Sequence, residues 1–315
     1  MILLPLVFFV ALSSAQTIPE VVSNIAPLSA LSELLVSSPR LSAWLLGANN
    51  FTFLAPSNAA VSQLIAGSYS PDEIEATLTY HLLSGSYPTV HFSNVSEFIP
   101  TALSDASFAN VTGGQRVEVT NTGNVTFRSW NKTSSSLLFG VTSSYSHHMG
   151  LSLTGNQDII IDGGIVHVID TVLQVPLDFL TTASEAALSY FIAIVNQARF
   201  MDSYNSSLVD TFITRSDFTL FAANSAVALS QLNTAIDNGT DFLNLFGYQL
   251  VAGSVLYSRM FKNGTQLTTM NGLPAIVTVL EDGAIYINAA KVIASDYLIS
   301  NGVMHVIDRL EAPLS

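Results

Sequence analysis

Histidine and acidic side chains that could act as metal ligands or as acid–base groups occupy few positions in this chain. His167 and His305 each lie in the middle of a run of Val and Ile, where an imidazole could serve as a ligand or a general base. No third residue completes a constellation in the sequence around either one, so we favour buried imidazoles whose nitrogens pair with backbone groups. Asp170 and Asp308 end the same two runs and are expected to accept hydrogen bonds from turn N–H groups.

The adjacent pair His147-His148 is the other arrangement that could join a metal site. The sequence contains no Cys, and no Asp or Glu lies near this pair at ligand spacing, so we expect no metal and no cofactor. The sequence also lacks a His-Glu-x-x-His motif, a Gly-x-Ser-x-Gly motif and a Gly-rich phosphate loop. We therefore predict that the protein is not an enzyme, which is an argument from absence.

Three short blocks of sequence occur twice in the same order, which indicates two related halves. The offsets between the copies are 167, 168 and 138 residues, so the first copy holds about 30 extra residues before its third block. The paired blocks are residues 51–58 with 218–225, 80–85 with 248–253, and 164–170 with 302–308.

The spacings of the repeated blocks predict two domains, and the N-terminal sequence predicts a signal peptide before them. We place the signal peptide at residues 1–15, the first domain at 16–176 and the second at 177–315. The surplus of the first copy is expected near 128–155, a Ser/Thr-rich stretch typical of a surface insertion.

Both halves alternate between helical and strand patterns. Helical patterns occur at residues 18–37, 58–65, 72–83, 185–200, 225–235 and 240–252, and Ser57-Asn58 and Asn224-Ser225 offer N-caps. Strand patterns occur at 51–54, 115–128, 157–172, 218–221, 273–280, 284–293 and 303–309. Helices segregated from β-rich stretches predict an α+β fold in each half.

The repeated blocks resemble the fasciclin domain family over both halves of the mature chain. The family's first block is similar to Thr52 to Asn58 with Pro56, its middle element to Tyr80-His81, and its last block to Asn301 to Asp308. Thr219 opens the first block of the second copy. The resemblance implies two tandem domains, each a wedge of β-sheet with flanking helices. Residues 112–116 look like the central segment of fungal members.

The second copy departs from the family pattern at two places. Ala223 stands where the family has Pro, with Asn224-Ser225 in inverted order after it, and Gln249 replaces the His of the Tyr-His pair. We expect this copy to keep the fold, and any role that needs the His to remain only in the first copy.

Asp158-Ile159 is the sharper candidate for partner recognition. In animal members of the family, an Asp-Ile before the last block, together with the Tyr-His region, is tied to integrin recognition, and the resemblance therefore implies a partner-binding set of Tyr80, His81, Asp158 and Ile159. The competing interpretation, which we favour, is that these residues set strand register.

The N-terminal sequence and the glycosylation sequons point to the secretory pathway. An apolar run of 11 residues is followed by Ser13-Ser14-Ala15, the layout of a signal peptide. Eight Asn-x-Ser/Thr sequons follow, at Asn50, Asn94, Asn110, Asn124, Asn131, Asn205, Asn238 and Asn263. We expect no transmembrane segment or lipid anchor in the mature chain.

The net charge of the chain limits the classes of partner that it can bind. The net charge of −13 opposes binding to a phosphate backbone, so nucleic acid is not expected. The family resemblance, the secretory signals and the exclusion of nucleic acid together predict a secreted adhesion module of the extracellular matrix or cell wall. Its partners would be cell-surface or matrix proteins, cell-wall glycans or like domains. The alternative is a lumenal protein of the vacuole or endomembranes that binds a small apolar ligand or lipid, favoured by the 49% hydrophobic content.

Overall fold

A computed structural model describes residues 18–123, 125–129, 148–151, 158–161, 163–197, 215–240 and 242–311. The helices of the first half are α1 (Ile18–Asn24), α2 (Ser29–Ser37), α3 (Pro39–Gly47), α4 (Asn58–Ala66) and α5 (Pro71–Tyr80). Its strands are β1 (Phe51–Pro56), β2 (Leu82–Ser84), β3 (Glu97–Pro100), β4 (Arg116–Asn121), β5 (Val125–Ser129), β6 (His148–Leu151), β7 (Ile159–Ile161) and β8 (Gly164–Ile169).

The second half repeats this order. Its helices are α6 (Phe179–Glu185), α7 (Ser189–Gln197), α8 (Ala226–Asp237) and α9 (Phe242–Gly247). Its strands are β9 (Phe218–Ala223), β10 (Leu250–Ala252), β11 (Gln266–Thr268), β12 (Pro274–Val279), β13 (Ile285–Ile287), β14 (Ala290–Ile299) and β15 (Gly302–Ile307). The α+β prediction is confirmed for both halves, which we refer to as domain one and domain two.

Each domain is built around a parallel pair formed by its first and last strands. β1 pairs with β8 and β9 with β15, in sheets ordered β2-β1-β8-β7 and β10-β9-β15-β14-β13-β12-β11. Domain one has a second sheet, β3-β4-β5-β6, which corresponds to the far part of the seven-stranded sheet. The first and third sequence blocks therefore recur because they are hydrogen-bonded neighbours in both domains.

The glycine that opens the third block is required by this pairing. A Cβ atom on Gly302 would lie 1.9 Å from the Phe218 carbonyl oxygen, and one on Gly164 would lie 2.5 Å from that of Phe51. Any side chain at these positions would therefore force the two parallel strands apart.

Two predicted helices are shorter than the sequence pattern indicated. The patterns at 72–83 and 240–252 each continue past the helix into a short strand, β2 and β10. These strands pair with β1 and β9, so sheet hydrogen bonds replace the last predicted helical turn. Ser57 and Ser225 are the N-caps of α4 and α8, which confirms the predicted helix starts.

The extra sequence of domain one lies between two paired strands. Ser129 at the end of β5 is opposite His148 at the start of β6, and residues 130–147 between them lie outside the described residues, as does His147 of the predicted His pair. In domain two the equivalent strands β13 and β14 are joined only by Asn288 and Ala289.

The two domains are docked against each other through residues 96–116 of domain one. Phe98 stacks on Tyr257, with ring centroids 3.9 Å apart and planes within 7° of parallel. Arg259 donates to the Ser96 carbonyl oxygen at 2.8 Å, and the buried Gln115 amide donates to the Ile299 carbonyl oxygen at 2.9 Å.

The segment that resembles fungal members takes part in this docking. The Thr112 N–H donates to the Asp217 carboxylate at 2.8 Å, and the Thr112 hydroxyl bonds to the same carboxylate. The Asn110 N–H also donates to the Ser300 carbonyl oxygen at 2.7 Å. These contacts restrain the angle between the domains.

Candidate functional site

The Tyr-His pair lies at the buried end of α5. The His81 side chain is fully buried, with Nδ1 2.7 Å from the Thr77 carbonyl oxygen. Its Nε2 accepts a hydrogen bond of 2.9 Å from the Leu173 N–H, so the proton is on Nδ1. Burial lowers the pKa of His81 to about 4, so its ring is neutral at physiological pH. The Tyr80 hydroxyl donates to the Arg116 carbonyl oxygen at 2.7 Å.

Gln249 makes the equivalent contacts in domain two. Its amide nitrogen donates to the carbonyl oxygens of Leu245 at 3.2 Å and Glu311 at 3.0 Å, and its amide oxygen accepts from the Glu311 N–H at 3.1 Å. Gln249 thus joins the end of a helix to the segment after the last strand, as His81 does. These structural contacts therefore do not need the His, because a glutamine offers the same donor and acceptor. The expectation that a role needing the His remains only in the first copy stays a prediction.

The two mid-strand histidines hold a loop in each domain. We use "anchored loop" for residues 85–92 in domain one and 254–261 in domain two. His167 donates from Nε2 to the Tyr87 carbonyl oxygen at 2.8 Å and accepts at Nδ1 from the Asp158 N–H at 3.3 Å. His305 makes the same two contacts with Leu256 and Asp296, at 2.8 and 3.3 Å. Burial lowers the pKa of both histidines.

A buried threonine and an aspartate complete the anchoring. The Thr52 hydroxyl donates to the Gly85 carbonyl oxygen and accepts from the Tyr87 N–H, each at 2.8 Å. The Asp158 carboxylate accepts from the Thr89 N–H at 2.7 Å and from its hydroxyl at 2.5 Å.

Domain two repeats these contacts with its own residues. Thr219 bonds to Ser254 and Leu256 at 2.8 and 2.9 Å, and Asp296 bonds to Ser258. Asp296 is thus the structural equivalent of Asp158, and both residues precede the third block.

The other residues of the repeated blocks also make structural contacts. The Asn58 amide oxygen accepts from the Ala30 N–H at 2.9 Å, which joins α4 to α2. Pro56 is the last residue of β1. Asp308 accepts from the Lys291 N–H at 2.9 Å, and Asp170 accepts from the Thr171 hydroxyl at 3.3 Å.

The two anchored loops differ in what lies in front of them. In domain two, Tyr257 and Arg259 of this loop contact domain one. In domain one, the loop presents Val90, which is 88% exposed. The hydrogen bond from Thr89 to Asp158 joins this loop to the start of β7. Ile160 in β7 is 78% exposed, whereas Ile159 beside it is half-buried. We take this surface, the anchored loop of domain one with β7, as the candidate recognition site.

The residues predicted to bind a partner therefore fall into a buried group and a partly exposed group. Tyr80 and His81 are completely buried and present no side-chain surface to a partner in this fold. Asp158 keeps 34% of its side chain exposed, although its carboxylate is hydrogen-bonded to Thr89. The sequence analysis did not predict Ile160, because alternation within so short a strand does not tell which face is exposed. It also did not predict Val90, which lies in the loop outside any strand.

The described part of the chain contains no group of three or more His, Asp or Glu residues placed to hold a metal ion. No helix within it has the length and apolar character needed to cross a bilayer. The predicted signal peptide lies outside the described residues.

Five of the sequon asparagines are described. Asn50, Asn94, Asn238 and Asn263 are exposed, and Asn110 is half-buried beside domain two. Asn124, Asn131 and Asn205 lie outside the described residues.

Glu311 is a buried acid in domain two. Its side chain is 2% exposed, neither carboxyl oxygen has a hydrogen-bond partner among the described residues, and burial raises its pKa to about 9. The folded protein keeps this carboxyl protonated up to about pH 9, whereas the unfolded chain loses the proton above about pH 4.5. The free energy of unfolding therefore falls as the pH rises from about 4.5 towards about 9. We expect Glu311→Gln to raise the free energy of unfolding at pH 7.5 by about 2 kcal/mol.

Urea unfolding at pH 5.0 and 7.5 measures this effect, with Glu281→Gln as the control because Glu281 is exposed. The gain should shrink at pH 5.0. An equal gain at both pH values would show that the neutral carboxyl of Glu311 is not the cause.

Comparisons with known proteins agree with this architecture. The sequence model of the fasciclin domain matches residues 26–176 and 186–312. The chain is 26% identical over 314 residues to a fasciclin-like arabinogalactan protein of Arthroderma benhamiae, covering 95% of this chain and 67% of that protein. It is 25% identical over 308 residues to a fasciclin-like arabinogalactan protein of Phaeosphaeria nodorum, covering 95% and 89%.

Among solved structures, the chain is similar to a FAS1 domain pair from the insect cell adhesion molecule fasciclin I. The sequence identity is 17%, the TM-score is 0.38, and the match covers 92% of this chain and 97% of the insect chain. The family match across both halves, with the same anchoring contacts in each, shows that the chain belongs to the fasciclin domain family and contains two tandem fasciclin domains.

Proposed function

We propose that the chain is a secreted, N-glycosylated adhesion module of the extracellular matrix or cell wall, and that it acts by binding rather than by catalysis. The observation that carries this proposal is the contrast between the two anchored loops. Tyr257 and Arg259 of the loop in domain two contact domain one, although Met260 of that loop remains 50% exposed. The loop in domain one presents Val90, which is 88% exposed. The names of the fungal relatives support an extracellular or cell-wall role.

The recognition surface that we propose combines predicted and newly found residues. Asp158 and Ile159 border it, Val90 and Ile160 contribute its apolar contacts, and the partner is a cell-surface or matrix protein, a cell-wall glycan or a like domain. Exposed apolar side chains beside a fixed loop suit such contacts, because little conformational entropy is lost on binding. Tyr80 and His81 would act from beneath by fixing the sheet that carries the surface.

Bead aggregation tests the proposal. Beads coated with the glycosylated protein should aggregate, and the double variant Val90→Asp, Ile160→Asp should reduce aggregation about tenfold, because each charge would have to be desolvated at the contact. Val36→Asp is the matched control, because Val36 in α2 is 80% exposed and lies outside this surface. If the native protein leaves beads dispersed, or if the double variant aggregates them equally well, the surface is not adhesive.

A second function is favoured by one observation. A cavity of about 790 Å³ lies beside the linker, within the size range of sites for small molecules. The alternative proposal is therefore a binding protein for a small apolar ligand or lipid, in the vacuole or another endomembrane lumen. Native mass spectrometry should then find a copurifying ligand, and the location of a tagged chain in medium, wall or vacuole separates the two functions.

A further inference from the structure

The cavity beside the linker is built from both domains. Its walls are the corner between α4 and α5 with Tyr69, residues 106–110, the linker segment 171–178 and Ser300 of domain two. An occupant of this space would therefore contact both domains at the same time.

The lining of the cavity suits a neutral, hydroxylated occupant. Tyr69 and Phe108 offer aromatic surface, and several hydroxyl and amide groups stand beside them. No Lys or Arg lines the cavity within the described residues, and its charged groups are Glu73 and Asp178. Both carboxylates already accept hydrogen bonds at helix N-termini, Glu73 from the Ser70 N–H at 2.7 Å and Asp178 from the Leu180 N–H at 2.9 Å. This acidic lining disfavours anions.

The ring of Tyr69 lies against Gly67 at the edge of the cavity. A Cβ atom on Gly67 would lie 2.4 Å from this ring, so the ring occupies space that only a glycine leaves free. Sugars pack their C–H faces on such rings while their hydroxyls reach polar neighbours, as aromatic side chains with an apolar body permit.

One sequon opens directly into this cavity. Asn110 belongs to Asn110-Val111-Thr112 and lines the cavity. Its backbone is fixed on both sides, because its N–H donates to the Ser300 carbonyl oxygen at 2.7 Å and its own carbonyl accepts from the Asp217 N–H at 3.4 Å. The other described sequons have exposed asparagines.

We propose that the first sugars of an N-glycan on Asn110 fill this cavity and bridge the two domains. The inference rests on the proposed secreted, glycosylated state of the chain. The occupant is covalently attached at the wall of its own site, so its effective concentration there is high and weak sugar contacts suffice. Core N-acetylglucosamine sugars are neutral and hydroxylated, as the lining requires.

Site-resolved deglycosylation of the native protein tests the proposal. Native peptide N-glycosidase should release the Asn110 glycan at least about tenfold more slowly than the glycans on Asn238 and Asn263, because about 1.4 kcal/mol of packing already gives a factor of ten. Tyr69→Ser leaves the sequon intact and should bring the Asn110 rate close to the other two.

Thermal unfolding gives a second readout. Asn110→Gln should lower Tm by about 2–4 °C, as expected for the loss of a modest contact in a chain of this size, while Asn238→Gln, at an exposed sequon, should leave it unchanged. The same variants made in a host that does not glycosylate control for the contacts of the Asn110 side chain itself, and there Asn110→Gln should lower Tm clearly less.

The outcomes separate this inference from the proposal on which it rests. A chain without glycan at any sequon would overturn the proposed glycoprotein state itself. Glycans on other sequons, with Asn110 bare or released equally fast, would overturn only the cavity assignment and leave the cavity open to a free ligand. A Tm loss of equal size in the unglycosylated pair would also overturn it.

Discussion

Gly302→Ala is expected to unfold domain two or to lower its free energy of unfolding by about 3 kcal/mol or more. The added methyl group would lie 1.9 Å from the Phe218 carbonyl oxygen and 2.9 Å from its carbonyl carbon, and both are backbone atoms that cannot turn aside. Separation of β15 from β9 would break a parallel pair that runs from Gly302–Phe218 to Ile307–Ala223. Urea unfolding followed by circular dichroism measures the loss, and tryptophan fluorescence reports domain one separately, because Trp44 and Trp130 both lie there.

The effect should extend to domain one, because the docking residues Ile299 and Ser300 lie only three and two residues before Gly302. Gly47→Ala is the matched control, since a Cβ atom there meets nothing within 4 Å, and it should be neutral or slightly stabilising. If Gly302→Ala unfolds at the same urea concentration as Gly47→Ala, the strand pairing described above is incorrect.

His81→Ala is expected to cost about 3 kcal/mol of stability at pH 8, whereas His81→Gln should cost less than about 1 kcal/mol. Alanine would leave the Thr77 carbonyl oxygen and the Leu173 N–H without their side-chain partner, and both are buried at a core position. Glutamine keeps a donor and an acceptor, as Gln249 does in domain two.

The same pair of variants separates the hydrogen-bonding role of His81 from the effect of its protonation. Because burial lowers the pKa of His81 from 6.5 to about 4, its neutral form stabilises the fold fully above pH 6.5. That contribution, about 3 kcal/mol, is lost as the pH falls from 6.5 towards 4. His81→Gln should therefore show a shallower loss of stability over this window and exceed the wild type near pH 4.5. Parallel curves for the two proteins would show that His81 does not titrate in this way.

The block structure of the sequence predicted the fold well, because the repeated residues are those that the topology constrains most. Thr52 and Thr219 recur since each bonds to an anchored loop, and Gly164 and Gly302 recur since nothing larger fits. The division at residues 176 and 177 stays a prediction, as do the signal peptide and the occupancy of the sequons.

The candidate site was harder to predict, because the exposure of each anchored loop depends on its contacts with the other domain. Residues 85–92 and 254–261 are anchored by the same contacts, yet they differ in exposure. Tyr257 and Arg259 of the second loop contact the other domain, whereas Val90 of the first loop is 88% exposed. The docking itself uses Phe98, Gln115 and Thr112, which carry no pattern that distinguishes an interdomain contact from an ordinary core position.

The parallel pairing of first and last strands has a mechanical consequence if the chain is pulled from its two ends, as the proposed adhesion module would be. Tension enters domain one at the start of β1 and leaves at the end of β8, so it pulls the two strands in opposite directions along their length. The register positions from Phe51–Gly164 to Pro56–Ile169 are then loaded in shear and must fail together, instead of opening one after another as a zipper does. Domain two has the same geometry between β9 and β15, so the force needed to rupture each domain is expected to be high relative to its equilibrium stability.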